Sequence, residues 1–284
     1  VRVDFNMTYE EVIKIIQEEF FTDEKLHYIC TTNPEFIMEA QKDEFFKKII
    51  NNSDLSTADG YGVILAKKYL EDLQGKDAST IEALVKGVLL GVNELFKKDK
   101  VDERITGVEL TEKICEMCSK TGKNVFLLGG WPKDKWGRKL PMYEDFATET
   151  ANVLKKKYPG LKVVGATSKF SWKEQDDVET IGYIKKKMIE SNVNNIDVLF
   201  VAYNHGKQER WIVRNNNKIP AKLSMGVGGT FDYISGHYVK NPTFFEKNHL
   251  SWFFRLITQP HRFKRVTNAF PKFPLAVYRS VINK

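Results

Sequence analysis

Short apolar runs alternate along the chain with longer segments whose apolar residues recur at helical spacing. The short runs are rich in β-branched and other apolar residues, and they predict buried strands over His27–Thr32, Asn124–Leu128, Leu161–Val164, Ile196–Ala202 and Lys222–Val227. The longer segments predict helices over Glu35–Asn51, Glu109–Thr121, Tyr143–Tyr158, Asp176–Ser191 and Gln208–Asn217. Because strands that alternate with helices of this length form βαβ units, we expect an α/β, Rossmann-like fold with a mostly parallel sheet flanked by helices.

Two segments depart from this alternation. Leu70–Glu103 is charged at both ends and apolar in the middle, which is typical of an inserted excursion. From about Phe244 the pattern changes to short helices interrupted by three prolines. We expect a body over residues 1–243, with the excursion at about 70–103, and a short helical, basic C-terminal appendage over 244–284.

Charge is distributed unevenly along the 284 residues, whose formal net charge is +7. Eight of the 44 basic residues and none of the 37 acidic ones lie between Lys247 and the end, so the first 246 positions are nearly neutral. The appendage therefore carries the whole excess of positive charge and predicts an anionic partner.

No segment has the pattern of a membrane span or a secretion signal. The best apolar stretch, Leu84–Leu95, has 12 residues and contains Lys86 and Glu94, whereas a bilayer span needs roughly 20 apolar residues. The first nine residues carry Asp4 and lack an apolar run. We expect a protein that is not integral to a membrane.

The three cysteines do not make a closed set of disulfides. Cys115 and Cys118 form a C-x-x-C, but no second pair or nearby histidine completes a metal site. Positions i and i+3 share one face of a helix, so we interpret the pair as buried helix residues and expect a reducing, cytoplasmic environment.

The ends of the predicted strands are where chemistry is expected, because ligands of parallel sheets bind beyond the carboxyl ends of the strands. After the first strand, Asn33 can cap a helix that begins at Pro34, and Thr31 can present a hydroxyl to a ligand. For Asn33 the sequence leaves two interpretations open, a helix cap alone and a functional role in the site. Asp59-Gly60 is an ordinary turn pair, but a carboxylate at this edge can also act as a general base.

Two glycine-rich turns follow other strands. Gly129-Gly130 ends one strand, and Gly228-Gly229 precedes Asp232 after another. Backbone amides of such turns can receive a diphosphate and Asp232 can accept from ribose hydroxyls, although tight turns alone remain the alternative. The dinucleotide fingerprint G-x-G-x-x-G and the phosphate loop G-x-x-x-x-G-K-[ST] are both absent, which weighs against an NAD enzyme or an ATPase.

Six short motifs occur along the chain in a recognisable order. They are Thr31–Glu35, Asp59–Gly62, Glu103–Gly107, Lys207–Glu209, Gly226–Asp232 and Leu250–Leu256. In type and order they resemble the WecG/TagA/CpsF family of bacterial glycosyltransferases. The resemblance covers the chain from about Tyr28 to Arg265.

The resemblance implies an inverting, metal-independent glycosyltransferase without a cofactor. Its donor would be a UDP-sugar, most plausibly UDP-N-acetylmannosamine, and its acceptor a polyprenyl-diphosphate-linked GlcNAc used in teichoic acid or other cell-envelope polymer synthesis. The enzyme would work as a peripheral protein on the inner face of the bacterial membrane. Family members also self-associate through the body, so a homo-oligomer is a further expected arrangement.

Residue by residue, Asp59 matches the family's proposed general base, and Thr31 and Asn33 match its neighbouring active-site polar residues. Gln208 matches the glutamine of the family's P-K-Q-E stretch, and Asp232 the acid near the nucleotide. Phe170 falls where the family has an aromatic that stacks on uracil. The remaining residues expected to bind substrate are Arg104, Gly129, Gly130, Gly228, Gly229, Arg255, Arg262 and Arg265.

The arginines in this set are expected to stabilise negative charge. Without a metal, backbone amides and cations must stabilise the negative charge that develops on the departing UDP. Arg104 and the appendage arginines are the candidates, and their aromatic neighbours suit an element that lies in a membrane interface. The alternative is that the appendage aromatics pack on the body and its charges are solvated.

The chain also departs from the family pattern. Asn204-His205-Gly206 stands where the family has G-x-P before K-Q-E, which puts the donor sugar in doubt and leaves a non-catalytic family member as an alternative. A nucleic-acid-binding protein that uses the basic, aromatic appendage is another alternative. The near-neutral body and the lack of a nucleic-acid motif argue against it, and we expect no nucleic-acid partner.

Overall fold

The computed structural model describes residues 1–74, 80–96, 104–131, 138–139, 145–237, 245, 254, 257–258, 260 and 263–282. The described residues form one sheet of six parallel strands in the order β2-β1-β6-β5-β3-β4. The strands are β1 (His27–Thr32), β2 (Leu55–Ala58), β3 (Asn124–Gly129), β4 (Lys162–Thr167), β5 (Ile196–Ala202) and β6 (Ala221–Gly226). The predicted α/β fold with a parallel sheet is confirmed.

The structure confirms five predicted strands and adds one that the sequence pattern did not predict. β2 was missed because its Leu55-Ser56-Thr57-Ala58 is half polar, although all four residues are buried. Ser56 is satisfied inside the protein, since its hydroxyl lies 2.7 Å from the Thr32 hydroxyl and donates to the Arg2 carbonyl at 3.0 Å. Internal hydrogen bonds thus offset the cost of burying a polar strand.

Helices cover both faces of the sheet. In chain order they are α1 (Tyr9–Ile15), α2 (Pro34–Ala40), α3 (Glu44–Asn51), α4 (Tyr61–Leu73), α5 (Thr80–Phe96), α6 (Gly107–Thr121), α7 (Phe146–Lys157), α8 (Asp177–Glu190), α9 (Lys207–Asn215), α10 (Thr230–Ile234), α11 (Phe263–Thr267) and α12 (Phe273–Ile282). Short π-helical and 3₁₀ segments extend α1 and α9, precede α8 and join α11 to α12.

The predicted single helix over Glu35–Asn51 is wrong in one respect, because two helices occupy it. α2 ends at Ala40, and Asp43 then caps α3 by accepting from the Phe46 amide at 2.9 Å. Aspartate favours this position since its carboxylate satisfies an amide that the new helix leaves unpaired. The predicted helix that began at Tyr143 starts at Phe146, after the Asp145 cap, and residues 140–144 lie outside the described ones.

The predicted excursion at 70–103 consists, where it is described, of the end of α4 and all of α5. α5 packs on α4 through buried Ala83 and half-buried Leu90, which contact Tyr69 and Leu73. Residues 75–79 and 97–103 lie outside the described ones.

The core has two layers, because successive residues of a strand point to opposite faces of the sheet. Val125 and Leu127 of β3 face the layer formed with α1, α6 and α7. Phe126 and Leu128 face the other layer, which contains Trp211 of α9 and side chains of α8.

Cys115 and Cys118 lie in the first of these layers and are completely buried in α6, as the helix interpretation predicted. Burial raises the pKa of the Cys118 thiol to about 12 and raises that of Cys115 well above its ordinary value. Both thiols therefore stay protonated and behave as small core residues.

The described part of the C-terminal appendage packs on the body in one place and is exposed in another. α12 contacts α4 and α5 through Val277, Tyr278 and Val281, and Phe273 at its start is buried. Phe263 and Phe270 are 60% and 48% exposed. In the described part of the appendage, some aromatic side chains thus pack on the body and others are exposed. Within the described ranges, no helix combines the length and apolarity needed to cross a bilayer.

Candidate functional site

The carboxyl ends of all six strands meet at one edge of the sheet, and the predicted catalytic residues share one end of that edge. β1 and β2 are neighbours, with Thr31 in register with Thr57. The Asp59 amide donates to the Thr32 carbonyl at 2.8 Å, which ties the residues after the two strands together. Thr31, Asn33 and Asp59 are therefore brought together as the sequence predicted.

The amino end of α6 lies against this group. The Ile105 amide donates to the Ala58 carbonyl at 3.0 Å, so Arg104 and the start of α6 follow the end of β2. A Cβ added to Gly107 would lie 3.5 Å from the Thr31 hydroxyl oxygen and 4.0 Å from that of Thr230. The partial positive charge of the helix amino end and the backbone at Arg104 thus belong to the same corner as Asp59.

Asn33 is a helix cap, and this interpretation of the sequence is confirmed. Its Oδ1 accepts from the amides of Glu35 and Phe36 at 2.9 and 3.1 Å, with Pro34 at the first helical position. The cap uses the carbonyl oxygen of the side chain and not its Nδ2 donor. Capping and a hydrogen bond from Nδ2 to a ligand are therefore compatible.

Asp59-Gly60 forms the predicted turn, and the turn holds Asp59 at the edge. Gly60 has φ +113° and begins α4, and a Cβ there would meet the Pro34 ring at 3.3 Å. Only glycine accepts this backbone geometry without strain. Asp59 therefore sits in a rigid junction between β2 and α4, half-buried beside the start of α2.

Gly129 and Gly130 are required by packing. Both have φ near +85°, and an added Cβ would lie 2.8 Å from the Tyr203 ring at Gly129 and 2.9 Å from the Phe231 ring at Gly130. The Gly130 amide donates to the Ala202 carbonyl at 2.9 Å. For Gly130 the tight-turn interpretation accounts for the glycine, because its amide is already paired within the protein.

Gln208 lies beneath the second glycine-rich turn, with only 3% of its surface exposed. Its Oε1 accepts from the Gly228 amide at 2.9 Å, and its Nε2 donates to Oε1 of Glu209 at 2.7 Å. Its Oε1 thus holds the turn that carries Gly229, and its Nε2 satisfies one oxygen of the buried Glu209 carboxylate. Asp232 itself lies in α10, directly after this turn.

Glu209 is a residue that reasoning from the sequence did not select. It is 2% exposed, and burial raises the pKa of its carboxyl above the ordinary value. Its Oε2 has no hydrogen-bond partner within the part of the chain that the structure describes. The available signal was its place in the polar group after β5, but the sequence does not show that it is buried.

His205 and Gly206, which depart from the family pattern, build an ionic cluster with α2 and α3. His205 Nε2 lies 2.7 Å from Glu39 Oε2, and Arg210 donates to Glu39 and Asp43 at 2.8 and 2.7 Å. The hydrogen bond from His205 is the main cause that lowers the pKa of Glu39.

Gly206 is needed by the same cluster. It has φ +73°, and a Cβ on it would lie 2.8 Å from the Arg210 guanidinium and 3.0 Å from the Glu39 carboxylate. His205 and Gly206, which depart from the family pattern, therefore join the turn after β5 to α2, the helix that Asn33 caps.

Phe170 lies at the far end of the edge and is not brought together with the catalytic group. It follows β4, its ring centroid is 5.5 Å from that of Tyr183, and β4 and β2 are the two outer strands. Five strand spacings correspond to roughly 24 Å along the sheet.

Three arginines of the appendage that were predicted to bind substrate cannot be placed relative to the site. Arg255, Arg262 and the side chain of Arg265 lie outside the described residues.

The whole chain is similar to proteins of one family. A model described as the glycosyl transferase WecG/TagA/CpsF family matches residues 1–85 and 76–284. A Bacillus subtilis protein named N-acetylglucosaminyldiphosphoundecaprenol N-acetyl-beta-D-mannosaminyltransferase is 24% identical over 94% of this chain and 85% of its own length. Proteins with the same name from Bacillus spizizenii and Staphylococcus aureus are 24% and 23% identical, each over 98% of this chain and 88% and 89% of their own lengths.

Proposed function

The chain belongs to the WecG/TagA/CpsF family of glycosyltransferases, and we propose that it moves N-acetylmannosamine from a UDP-sugar to GlcNAc carried on a polyprenyl diphosphate. The relatives that match nearly the whole chain carry the name of an enzyme with this acceptor and this transferred sugar. The observation in the structure that carries the proposal is the convergence of Asp59, Thr31 and the start of α6 at one corner of the sheet edge.

Asp59 is the general base of the proposed reaction. A hydroxyl of the acceptor GlcNAc attacks the anomeric carbon of the donor sugar while the Asp59 carboxylate takes the hydroxyl proton. The new carbon–oxygen bond forms on the face opposite the departing UDP, so the configuration inverts. The position of Asp59 at the junction between β2 and α4, tied by its amide to the Thr32 carbonyl beside Thr31, supports this role.

UDP leaves with the electron pair of the broken bond, and positive groups stabilise the negative charge. The amino end of α6 and Arg104 supply such groups beside Asp59, and the appendage arginines Arg255, Arg262 and Arg265 are further candidates. The transfer is accordingly proposed to need neither a metal ion nor a cofactor. Turnover in the presence of a strong chelator tests this, because a metal-dependent enzyme would lose activity.

Glycine turns and acidic groups farther along the edge are proposed to receive the nucleotide. Gly228, Gly229 and Asp232 form a turn that Gln208 holds in shape, next to Thr230 and the Thr31 corner. Phe170 lies on the far side of the sheet edge, so uracil stacking there requires an extended donor. We propose the nucleotide near the β6 turn.

The polyprenyl acceptor places the reaction at a membrane. We propose a peripheral enzyme on the inner face of the bacterial membrane, engaged in the synthesis of teichoic acid or a related cell-wall polymer. The eight cations and no acids between Lys247 and the end support attraction to an anionic leaflet, at about 1 kcal/mol for each cation near the surface.

A screen of UDP-sugars tests the proposal, with a short polyprenyl-diphosphate GlcNAc as acceptor and UDP release as the readout. UDP-N-acetylmannosamine should give the fastest release, and release should require the acceptor. Faster turnover with another UDP-sugar would correct the donor. UDP binding without turnover would indicate a non-catalytic family member, and a salt-dependent gel shift with single-stranded RNA without UDP binding would indicate a nucleic-acid-binding protein.

A further inference from the structure

α5 presents a continuous apolar surface away from the body. Ile81, Leu84, Val85, Val88 and Leu89 are between 50% and 73% exposed. Their spacing of three, one, three and one residues places them on one side of the helix. We call these five side chains the apolar face of α5. Isolated exposed aliphatic residues are common on proteins, but a contiguous face of this kind marks an interaction surface.

The orientation of α5 is determined by contacts on its opposite side. The Tyr69 hydroxyl of α4 donates to the Ala83 carbonyl at 3.0 Å, and the Tyr278 hydroxyl of α12 donates to the Thr80 carbonyl at 3.1 Å. Lys86 forms an ion pair of 3.1 Å with Asp72 of α4. These contacts leave the apolar face directed away from α4.

Cations accompany this apolar face. α12, which packs beside α5, exposes Arg279, and Lys272 is exposed just before it. Both belong to the segment from Lys247 onward that contains no acidic residue. An apolar helix face next to Lys and Arg is the composition of elements that lie in the interface of an anionic membrane.

We propose that the apolar face of α5 enters the interface of an anionic bilayer, with α12 and the rest of the appendage beside it. A second copy of the chain suits the surface less well. A two-fold interface brings the same patch of both copies together, so the two cationic segments would repel each other. Anionic lipid headgroups complement them instead.

The position of α5 connects this surface to the site. α4, on which α5 packs, begins at Tyr61, two residues after Asp59, and its 13 residues span about 20 Å. Phe273 at the start of α12 lies 3.8 Å from where a Cβ on Gly62 would stand. When α5 and α12 contact a bilayer, the corner where a lipid-linked acceptor would react therefore lies near the membrane surface. This consequence rests on the proposed function, whereas the membrane surface itself does not depend on which sugars are transferred.

Vesicle binding without any sugar substrate tests the proposal. The full chain is sedimented with vesicles of equal parts phosphatidylglycerol and phosphatidylcholine, and the double variant Leu84→Glu/Val88→Glu is compared with it. The matched control is Val178→Glu/Ile189→Glu, which alters two aliphatic residues of α8 that are 81% and 80% exposed and belong to no such face. The α5 variant should bind vesicles at least about tenfold more weakly, because two apolar side chains that the membrane interface would bury are replaced by charged ones. The control should bind like the wild type.

A fluorescent label gives a second measurement that does not depend on the fold of a doubly charged variant. The three native cysteines are buried, so an environment-sensitive dye reacts with the cysteine introduced by Val85→Cys or, as control, by Val178→Cys. Vesicles should shift the emission of the first to shorter wavelength and leave the second unchanged.

Equal vesicle binding by both double variants, or no shift at position 85, would overturn the proposal. A fall in molecular mass from dimer to monomer in Leu84→Glu/Val88→Glu, with vesicle binding retained, would assign the face to a second copy. Absence of glycosyl transfer by the wild-type chain, with vesicle binding that still depends on the apolar face of α5, would count against the proposed function and leave this surface intact.

Discussion

Two regions of the strand edge use their polar side chains differently. At the β1–β2 end, Asp59 stands at the junction with α4 beside Thr31, and Asn33 caps a helix through its Oδ1. After the central strands β5 and β6, Gln208 and Glu209 are buried, and the hydrogen bonds of Gln208 are made within the protein. The partners of Gln208 therefore identify it as a support, whereas Asp59 is the proposed reacting group.

Replacing Asp59 should have the largest effect, because it removes the proposed base from the reacting end. We expect Asp59→Ala to lower turnover by about 10²–10⁴-fold and to leave the folded structure intact by circular dichroism and thermal unfolding. Glu179→Ala, at an exposed carboxylate of α8, is the control and should turn over like the wild type. Near-normal turnover of Asp59→Ala would remove Asp59 from the role of base.

Replacing Gln208 tests whether the β5–β6 region is a support. Gln208→Ala leaves the Gly228 amide and Glu209 without their partner, so the free energy of unfolding should fall by about 1–3 kcal/mol, measured by urea unfolding. UDP binding, measured by calorimetry, should weaken as the turn loosens. Weaker UDP binding with an unchanged free energy of unfolding would instead make Gln208 a direct ligand, and the contrast between the two regions would disappear.

The appendage arginines test whether the reacting end extends beyond the body. We expect Arg255→Ala to lower turnover roughly tenfold, the effect of losing one charge-assisted contact to a diphosphate, while vesicle binding changes much less. Lys284→Ala removes the same charge from the last residue and serves as the control. Equal losses of turnover and vesicle binding in Arg255→Ala would mean that Arg255 contributes only to membrane binding.

Glu209 gives the smallest effect, which appears as a pH dependence of stability. Because burial raises the pKa of Glu209 in the folded protein above its ordinary value of 4.5, ionisation favours the unfolded chain. The stability present below pH 4.5 is therefore lost as the pH rises through the higher folded-state pKa.

The isosteric variant Glu209→Gln does not ionise, so its free energy of unfolding should rise relative to the wild type as the pH increases, by on the order of 1 kcal/mol. Urea unfolding of both proteins from acid to neutral pH measures this difference. Glu112→Gln, at a half-buried carboxylate of α6, is the control. A difference that stays constant with pH would mean that folding does not raise the pKa of Glu209.

Several features of the fold were predictable because they depend on local pattern. The β5 run Ile196–Ala202 is apolar throughout, and the predicted and observed strands have the same bounds. β2 was not predictable in this way, since Ser56 is stabilised by hydrogen bonds to Arg2 and Thr32 that the sequence does not show. The break between α2 and α3 depends on one cap at Asp43, a signal too short to stand out within a helical pattern.

For the candidate site, the order of motifs was sufficient to identify the family and to select Asp59, Thr31 and Asn33, and the family is confirmed. The assignments of individual residues to base, nucleotide or lipid stay predictions. Phe170 shows why, because the resemblance gives its place in the sequence and not its distance from Asp59 across the sheet.

The sequence by itself determined the alternation of strands and helices, the position of most polar motifs after a strand, and the concentration of positive charge after Lys247. Local propensity and residue spacing are enough for these features. Only the tertiary structure decided the strand order, the strand that precedes Asp59, the pairing of His205 with Glu39 across 166 residues, and the outward direction of the apolar face of α5. The physical reason is that hydrogen bonds and burial depend on which groups meet in space. The chain folds Asp59 into one corner of the edge and encloses Glu209 behind the middle of it.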